Sequence, residues 1–124
     1  MPASILLPPS TNVFVTAFTN AGYLQKVTIT PPSGAGNPTV WQGRGENNHQ
    51  IGSMFIMTPG GSQNFNYQVD AQNSPNGGQS WNESVLMPGG CVIATMNLKV
   101  LLSEDQADRD YNDAVVEFLW WEPF

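Results

Sequence analysis

Ser103-Glu-Asp-Gln-Ala-Asp-Arg-Asp-Tyr-Asn-Asp113, followed without a break by Ala114-Val-Val-Glu-Phe-Leu-Trp-Trp121, is the stretch on which the reading of this chain turns. Five carboxylates, Glu104, Asp105, Asp108, Asp110 and Asp113, stand within ten positions. Like charges about 4 Å apart repel by roughly 4 kcal/mol at an effective dielectric of about 20. The carboxylates must therefore either point apart into water, as in a solvated acidic turn, or converge on hard cations. The alternation Asp108-x-Asp110-x-Asn112, with Asp113 directly behind, favours convergence, because every-other-residue oxygens bend inward around a small sphere. Calcium takes such an all-oxygen shell of about six to eight ligands. An EF-hand is excluded: Asp113 stands where that loop needs glycine, Leu119 where it needs glutamate, and strand-like sequence follows where a helix belongs.

Outward from the loop, the sequence reads as strands. Val115, Leu119 and Trp121 lie opposite Val116, Phe118 and Trp120, so both faces of the last strand are apolar. Upstream, after Pro88-Gly-Gly90, residues Val92, Ala94, Met96, Leu98, Val100 and Leu102 are expected on one side of a single twelve-residue strand. The acidic loop is thus clamped between the two most hydrophobic strands. Alternation also marks Ile5–Leu7, Val13–Thr19, Leu24–Thr30, Thr39–Gln42, Gln50–Thr58, Gln63–Ala71 and Ser80–Met87. Asn20-Ala21-Gly22 is expected to be the turn of a hairpin and Asn47-Asn48 part of a polar loop. No segment has helical periodicity. The expected fold is all-β, a single antiparallel β-sandwich of about eight or nine strands forming one domain over residues 1–124.

Composition narrows the function. Ten acids against four bases give a net charge of −6, and seven of the ten, from Glu104 to Glu122, lie in the last 21 positions. The charge therefore marks a site rather than a general coat. Lys26, Arg44, Lys99 and Arg109 form no basic stripe, which excludes nucleic acid and anionic membrane as partners. A single cysteine, Cys91, rules out an intrachain disulfide and is expected to be a small buried apolar residue. The first residues lack a basic, long apolar signal segment, so the chain is expected in the cytoplasm as synthesised, with release by a non-classical route open. Asn82-Glu83-Ser84 matches a glycosylation sequon that such a location leaves unused.

Catalysis is poorly supported. His49 is the only histidine and no nucleophile motif surrounds it. Acids packed into one loop do not face each other across a cleft as glycosidase carboxylates must, and zinc lacks its His and Cys ligands. Calcium remains, either as a structural staple in an adhesive domain or as a binding group for hydroxyl-rich ligands. Vicinal sugar hydroxyls replace coordinated waters, while spare carboxylate lone pairs accept their protons. Glu104, Asp108, Asp110 and Asp113 would balance two Ca²⁺, leaving Asp105 over.

The segment Ser103-Glu-Asp-x-x-Asp-x-Asp-Tyr-Asn-Asp-Ala-Val-Val116 resembles the calcium loop of the LecB (PA-IIL-like) calcium-dependent fucose/mannose-binding lectins. Leu7-Pro and Phe14-Val-Thr-Ala-Phe-Thr-Asn20 resemble the same family's N-terminal strand and turn, and Gly45 to Gly52 fits weakly. The resemblance implies a sandwich holding two adjacent calcium ions that chelate a monosaccharide directly. It implies Glu104, Asp108, Asp110, Asn112 and Asp113 as loop ligands, with Asp110 and Asp113 bridging, and the main-chain oxygen of Asn20. Asp105 would accept a hydrogen bond from the sugar. Asn20, Ala21, Gly22, Glu104, Asp105, Asp108, Asp110 and Asp113 would meet the sugar. Alanine at the first specificity position, in Ala21-Gly22-Tyr23, implies mannose over fucose, and Tyr23 is larger than is usual there. The family's terminal carboxylate enters a neighbouring subunit's site. This chain ends Trp120-Trp-Glu-Pro-Phe124 instead, so in a homodimer or larger homo-oligomer either Phe124 or Glu122 would take that role, or the second calcium would be bound differently. Gln106 also stands where the family usually has glycine.

Overall fold

The computed structural model describes residues 2–104 and 112–122. Among them eight strands form: β1 Ala3–Leu7, β2 Asn12–Thr30, β3 Thr39–Met57, β4 Phe65–Ser74, β5 Asn82–Glu83, β6 Val85–Ile93, β7 Met96–Glu104 and β8 Ala114–Trp121. Every ladder is antiparallel.

β2 is the hub. One edge pairs with β3 along nearly its whole length, while the other pairs with β8 through Phe14–Thr19 and then with β4 through Leu24–Thr30. The sheet therefore divides where β2 changes partner. One half runs β3, β2, β8, β7, β6 and the other β3, β2, β4, β1, with β5 added to β4. The halves close over one core that contains Val13, Val15, Val116 and Phe118 from the first and Val27, Ile29, Val69 and Leu7 from the second.

The expected hairpin at Asn20–Gly22 does not form: β2 runs straight through it. Neither Asn20 nor Gly22 has positive φ. Apart from the exposed Tyr23, the odd-numbered side chains from Val13 to Ile29 (Val13, Val15, Ala17, Thr19, Ala21, Gln25, Val27 and Ile29) are buried in both halves. A two-residue hairpin would end the strand and separate these inward residues, whereas an extended chain keeps all of them in one core. Register shifts against β3 around Ala17–Phe18 and Thr19–Gln25 absorb the bend instead. The polar loop at Asn47-Asn48 is likewise an irregularity inside β3, where both asparagines take the left-handed conformation (φ 63° and 55°).

Two further expectations change on the C-terminal side. Pro88-Gly-Gly90 lies inside β6 rather than ending a strand, a position that proline tolerates because β6 is an edge. The twelve-residue strand is broken at Ala94-Thr95, where Ala94 has φ 52° and Ile93 pairs directly with Met96. Folding back lets β7 present Leu101, 1 % exposed, to the core. Cys91 consequently sits on the edge strand and is exposed, not buried.

The outer face of the β3–β2–β8–β7–β6 half is unusually apolar. Cys91, Leu98, Leu119, Phe14 and Phe55 stand directly opposite one another across all five strands, and the Phe14 and Phe55 rings touch with centroids 4.9 Å apart. A parallel row contains Met87, Leu102, Val115 and Phe18, and another Ile93, Met96 and Trp121. Glu117 interrupts the row between Val100 and Thr16.

Candidate functional site

The middle of β2 meets the end of the β7–β8 hairpin. The Asn20 N–H donates to the Asp113 carbonyl (3.0 Å), the Asp113 N–H to the Ser103 carbonyl (3.1 Å), and the Ala114 N–H to Ser103 Oγ (2.9 Å). Ser103 is thus a buried clip that closes the base of the acidic loop, holding both backbone amides on its C-terminal side. Glu104 is 1 % exposed at the end of β7 and Asp113 is 4 % exposed before β8. Both carboxylates have been withdrawn from water, a costly arrangement for charge unless it is compensated.

Asn20 carries the rest of the junction. Its Nδ2 donates to the Asn112 carbonyl (3.1 Å) and to Asn48 Oδ1 (2.9 Å), while its Oδ1 accepts from the Asn48 N–H (2.7 Å). The half-buried Asn112 keeps its own Oδ1 enclosed and without a hydrogen-bond partner. An enclosed acceptor costs about 1–3 kcal/mol when nothing meets it, so this oxygen marks a place for a donor or a cation.

Of the residues singled out in the sequence, Asn20, Ala21, Gly22, Tyr23, Glu104, Asn112, Asp113 and Glu122 fall in the described part, Glu122 being exposed after β8 with its N–H bonded to the Thr95 carbonyl at 2.8 Å. Asn20, Asn112 and Asp113 are joined by hydrogen bonds, with Glu104 next to the Ser103 clip. Ala21 is 5 % exposed opposite Gly45; Gly22 faces open space, and Tyr23 is 45 % exposed beside it. Asp105, Asp108, Asp110 and Phe124 lie outside the described residues, so neither the bridging role expected of Asp110 nor the role of the terminal carboxylate in a neighbouring site is placed. Among the described residues no three His, Cys, Asp or Glu side chains gather into a metal cluster. The described donors are oxygens throughout, a set suited to a hard cation. Sequence reasoning missed Ser103, Thr19 and Asn48; the signal available for Asn48 was the Asn47-Asn48 pair, since asparagine tolerates positive φ better than most residues.

The sequence matches the family of fucose-binding lectin II (PA-IIL) over residues 5–122. The chain belongs to that family. Its members are carbohydrate-binding lectins, and no catalytic family is indicated. Among solved structures, the Chromobacterium violaceum lectin CV2L in complex with alpha-methyl-fucoside is similar at 30 % identity, covering 99 % of both chains with a TM-score of 0.73. The high-affinity mannose-binding lectin of Ralstonia solanacearum is similar at 26 % identity over 97 % of this chain and 96 % of its own, TM-score 0.73. The C-terminal domain of the BC2L-C lectin from Burkholderia cenocepacia is similar at 26 % identity over the whole of both chains, TM-score 0.72. No curated protein sequence matches significantly. This lectin chain thus shares the β-sandwich of its relatives from end to end, and the Asn20–Asp113 junction sits within the matched span.

Proposed function

We propose that this chain is a calcium-dependent lectin that binds mannose- and fucose-type monosaccharides, mannose favoured, through two calcium ions held by the β7–β8 loop. The supporting observation is the hydrogen-bonded junction of Asn20 with Asn112, 92 positions along the chain, and with Asp113, beside the end of β7 at Glu104, with the Asn112 Oδ1 enclosed and unmatched. Glu104, Asp108, Asp110, Asn112, Asp113 and the main-chain oxygen of Asn20 form the ligand set. When bound, calcium supplies open coordination positions to vicinal sugar hydroxyls. The chain's own residues do the rest. Ser103 and Asn20 hold the loop's base in place before a ligand arrives, and Asp105 accepts a hydrogen bond from a sugar hydroxyl. Gly22 leaves the approach open.

Calorimetry with methyl mannoside and methyl fucoside, in calcium and in chelator, tests this. Binding between about −4 and −8 kcal/mol is expected in calcium, stronger for mannose and lost in chelator. No heat with either sugar in saturating calcium would refute it. A melting temperature that rises with calcium but no further with sugar would favour a purely structural ion.

The homo-oligomer is assigned to the apolar outer face described above, covered by a second copy of this chain. At about 4.8 Å between strands and roughly 7 Å between rows, the face spans on the order of 500 Å², in the range of the largest apolar patches of single chains, which are often functional. Two copies with a net charge of −6 each repel unless they meet on a surface nearly free of charge, and this face carries only Glu117 among its rows.

A further inference from the structure

Thr19 and Asn20 are consecutive on β2 and grip the same excursion of β3, Gly45–His49, at its base and at its tip. Thr19, fully buried, donates its hydroxyl proton to the Gly45 carbonyl at 3.1 Å, with the His49 carbonyl at 3.5 Å, so both legs are pinned together. At the tip, Asn47 and Asn48 are adjacent non-glycine residues in the left-handed region. Such conformations cost free energy and persist where surrounding contacts impose them.

At the tip, Asn48 is held by Asn20. A backbone N–H can only donate and a carbonyl only accept, so the bonds from Asn48 N–H and to the Asn112 carbonyl fix which end of the Asn20 carboxamide is oxygen. With its Oδ1 bound to Asn48 and its Nδ2 shared between Asn48 Oδ1 and the Asn112 carbonyl, the carboxamide plane has no freedom to rotate. Asn48 thereby sets the plane of Asn20. Asn20 in turn sets the position of the Asn112 carbonyl, and so of the residue whose Oδ1 is enclosed and unmatched.

We propose that Asn48 is a positioning residue of the cation and sugar site, acting through Asn20 on the closing end of the acidic loop, an inference that rests on the calcium-dependent reading above. Asn48 touches neither ion nor sugar in this role. Its left-handed bulge is an arm that one strand extends to hold the ligand geometry of two others. Residues that orient metal ligands typically change affinity by about 10- to 100-fold when lost.

Asn48→Gly tests the arm, because glycine accepts the same φ and keeps the N–H to Asn20 while removing Oδ1. Calcium affinity is expected to fall about tenfold, with the melting temperature in chelator within about 3 °C of wild type. Mannoside affinity should fall at limiting calcium and recover at saturation. Asn48→Asp, which retains an acceptor for Asn20 Nδ2, is expected to restore most of the loss. Calcium affinity unchanged in Asn48→Gly, or a loss that Asn48→Asp does not rescue, would overturn the proposal. Amide hydrogen exchange in calcium-free protein separates this inference from its parent. If wild type bound neither calcium nor mannoside, the functional reading would fail, and the clasp would be judged alone. Faster exchange at the Asn20 and Asp113 amides in Asn48→Gly supports it, and unchanged exchange sinks it.

Discussion

Ala21 is buried opposite Gly45, Gly22 beside it is open, and Tyr23 projects next in line. On the lectin reading proposed above, this succession would control how closely a sugar approaches the β2 edge of the site. Ala21→Ser adds one hydroxyl directly beneath the approach, worth about 1 kcal/mol if it bonds a sugar oxygen. The mannoside-to-fucoside preference is expected to move toward fucose by roughly fivefold, with calcium affinity unchanged. An identical sugar ranking by competition binding before and after the substitution would dismiss this role. Asp108 and Asp110 lie outside the described residues, but the alternation of Asp108, Asp110 and Asn112 is local and was legible in the sequence as an oxygen-rich stretch. The part played by Asn48 was not, because it depends on a hydrogen bond to a residue 28 positions away.

Strand identity was largely legible from period-two alternation, but strand ends were not. Asn20-Ala21-Gly22 has the residues of a turn, yet the burial of Ala17, Thr19, Ala21 and Gln25 on one side keeps the strand extended. Conversely Ala94-Thr95 has no turn signature and forms the β6–β7 hairpin, since only folding there pairs Val85–Ile93 with Met96–Glu104. Gly52 shows a reason for glycine that alternation alone does not reveal: a Cβ there would collide with the Trp41 ring. At this scale β4 and β5 also carry a pH-sensitive contact. Burial pushes the Asp70 carboxyl above its ordinary 3.8, reinforced by its hydrogen bond to Glu83 and that neighbour's charge. The same hydrogen bond holds Glu83 below its ordinary 4.5, with help from Gln72 Nε2, which donates at 2.9 Å. The proton on Asp70 therefore stabilises the folded chain fully below pH 3.8, and that contribution is lost as pH rises through its raised value. The ionised Glu83 stabilises above pH 4.5 and less as pH falls. Asp70→Asn keeps a donor for Glu83 without titrating. Its melting temperature relative to wild type is expected to rise from acid toward neutral pH, by a few degrees for a change of about 1 kcal/mol. A difference that is flat with pH would remove the linkage.

The outer apolar face exists only in the assembled sheet. Phe14, Phe55, Leu98 and Leu119 are scattered along the chain, and each alone reads as an ordinary strand residue. Register places them in one row. Phe55 is 71 % exposed, so Phe55→Glu should disturb the folded chain little, yet it adds a second carboxylate to a face that already carries Glu117. Sedimentation is expected to show wild type at twice the chain mass and Phe55→Glu at one chain mass. Wild type sedimenting as a monomer throughout the micromolar range would refute the second copy as the covering partner.

By itself the sequence determined the all-β class, the lectin family and the position of the acidic stretch between two apolar strands, because alternation and short-range spacing are properties of neighbouring residues. The tertiary structure alone decided that β2 is one continuous strand shared by both halves of the sandwich. It also brought Asn20 to the far end of the chain at Asp113 and extended the Asn48 arm to meet it. The physical reason is that burial and hydrogen-bond satisfaction are settled over the whole core at once. A turn favoured locally at Asn20–Gly22 yields when extending the strand keeps inward residues on both sides of it out of water.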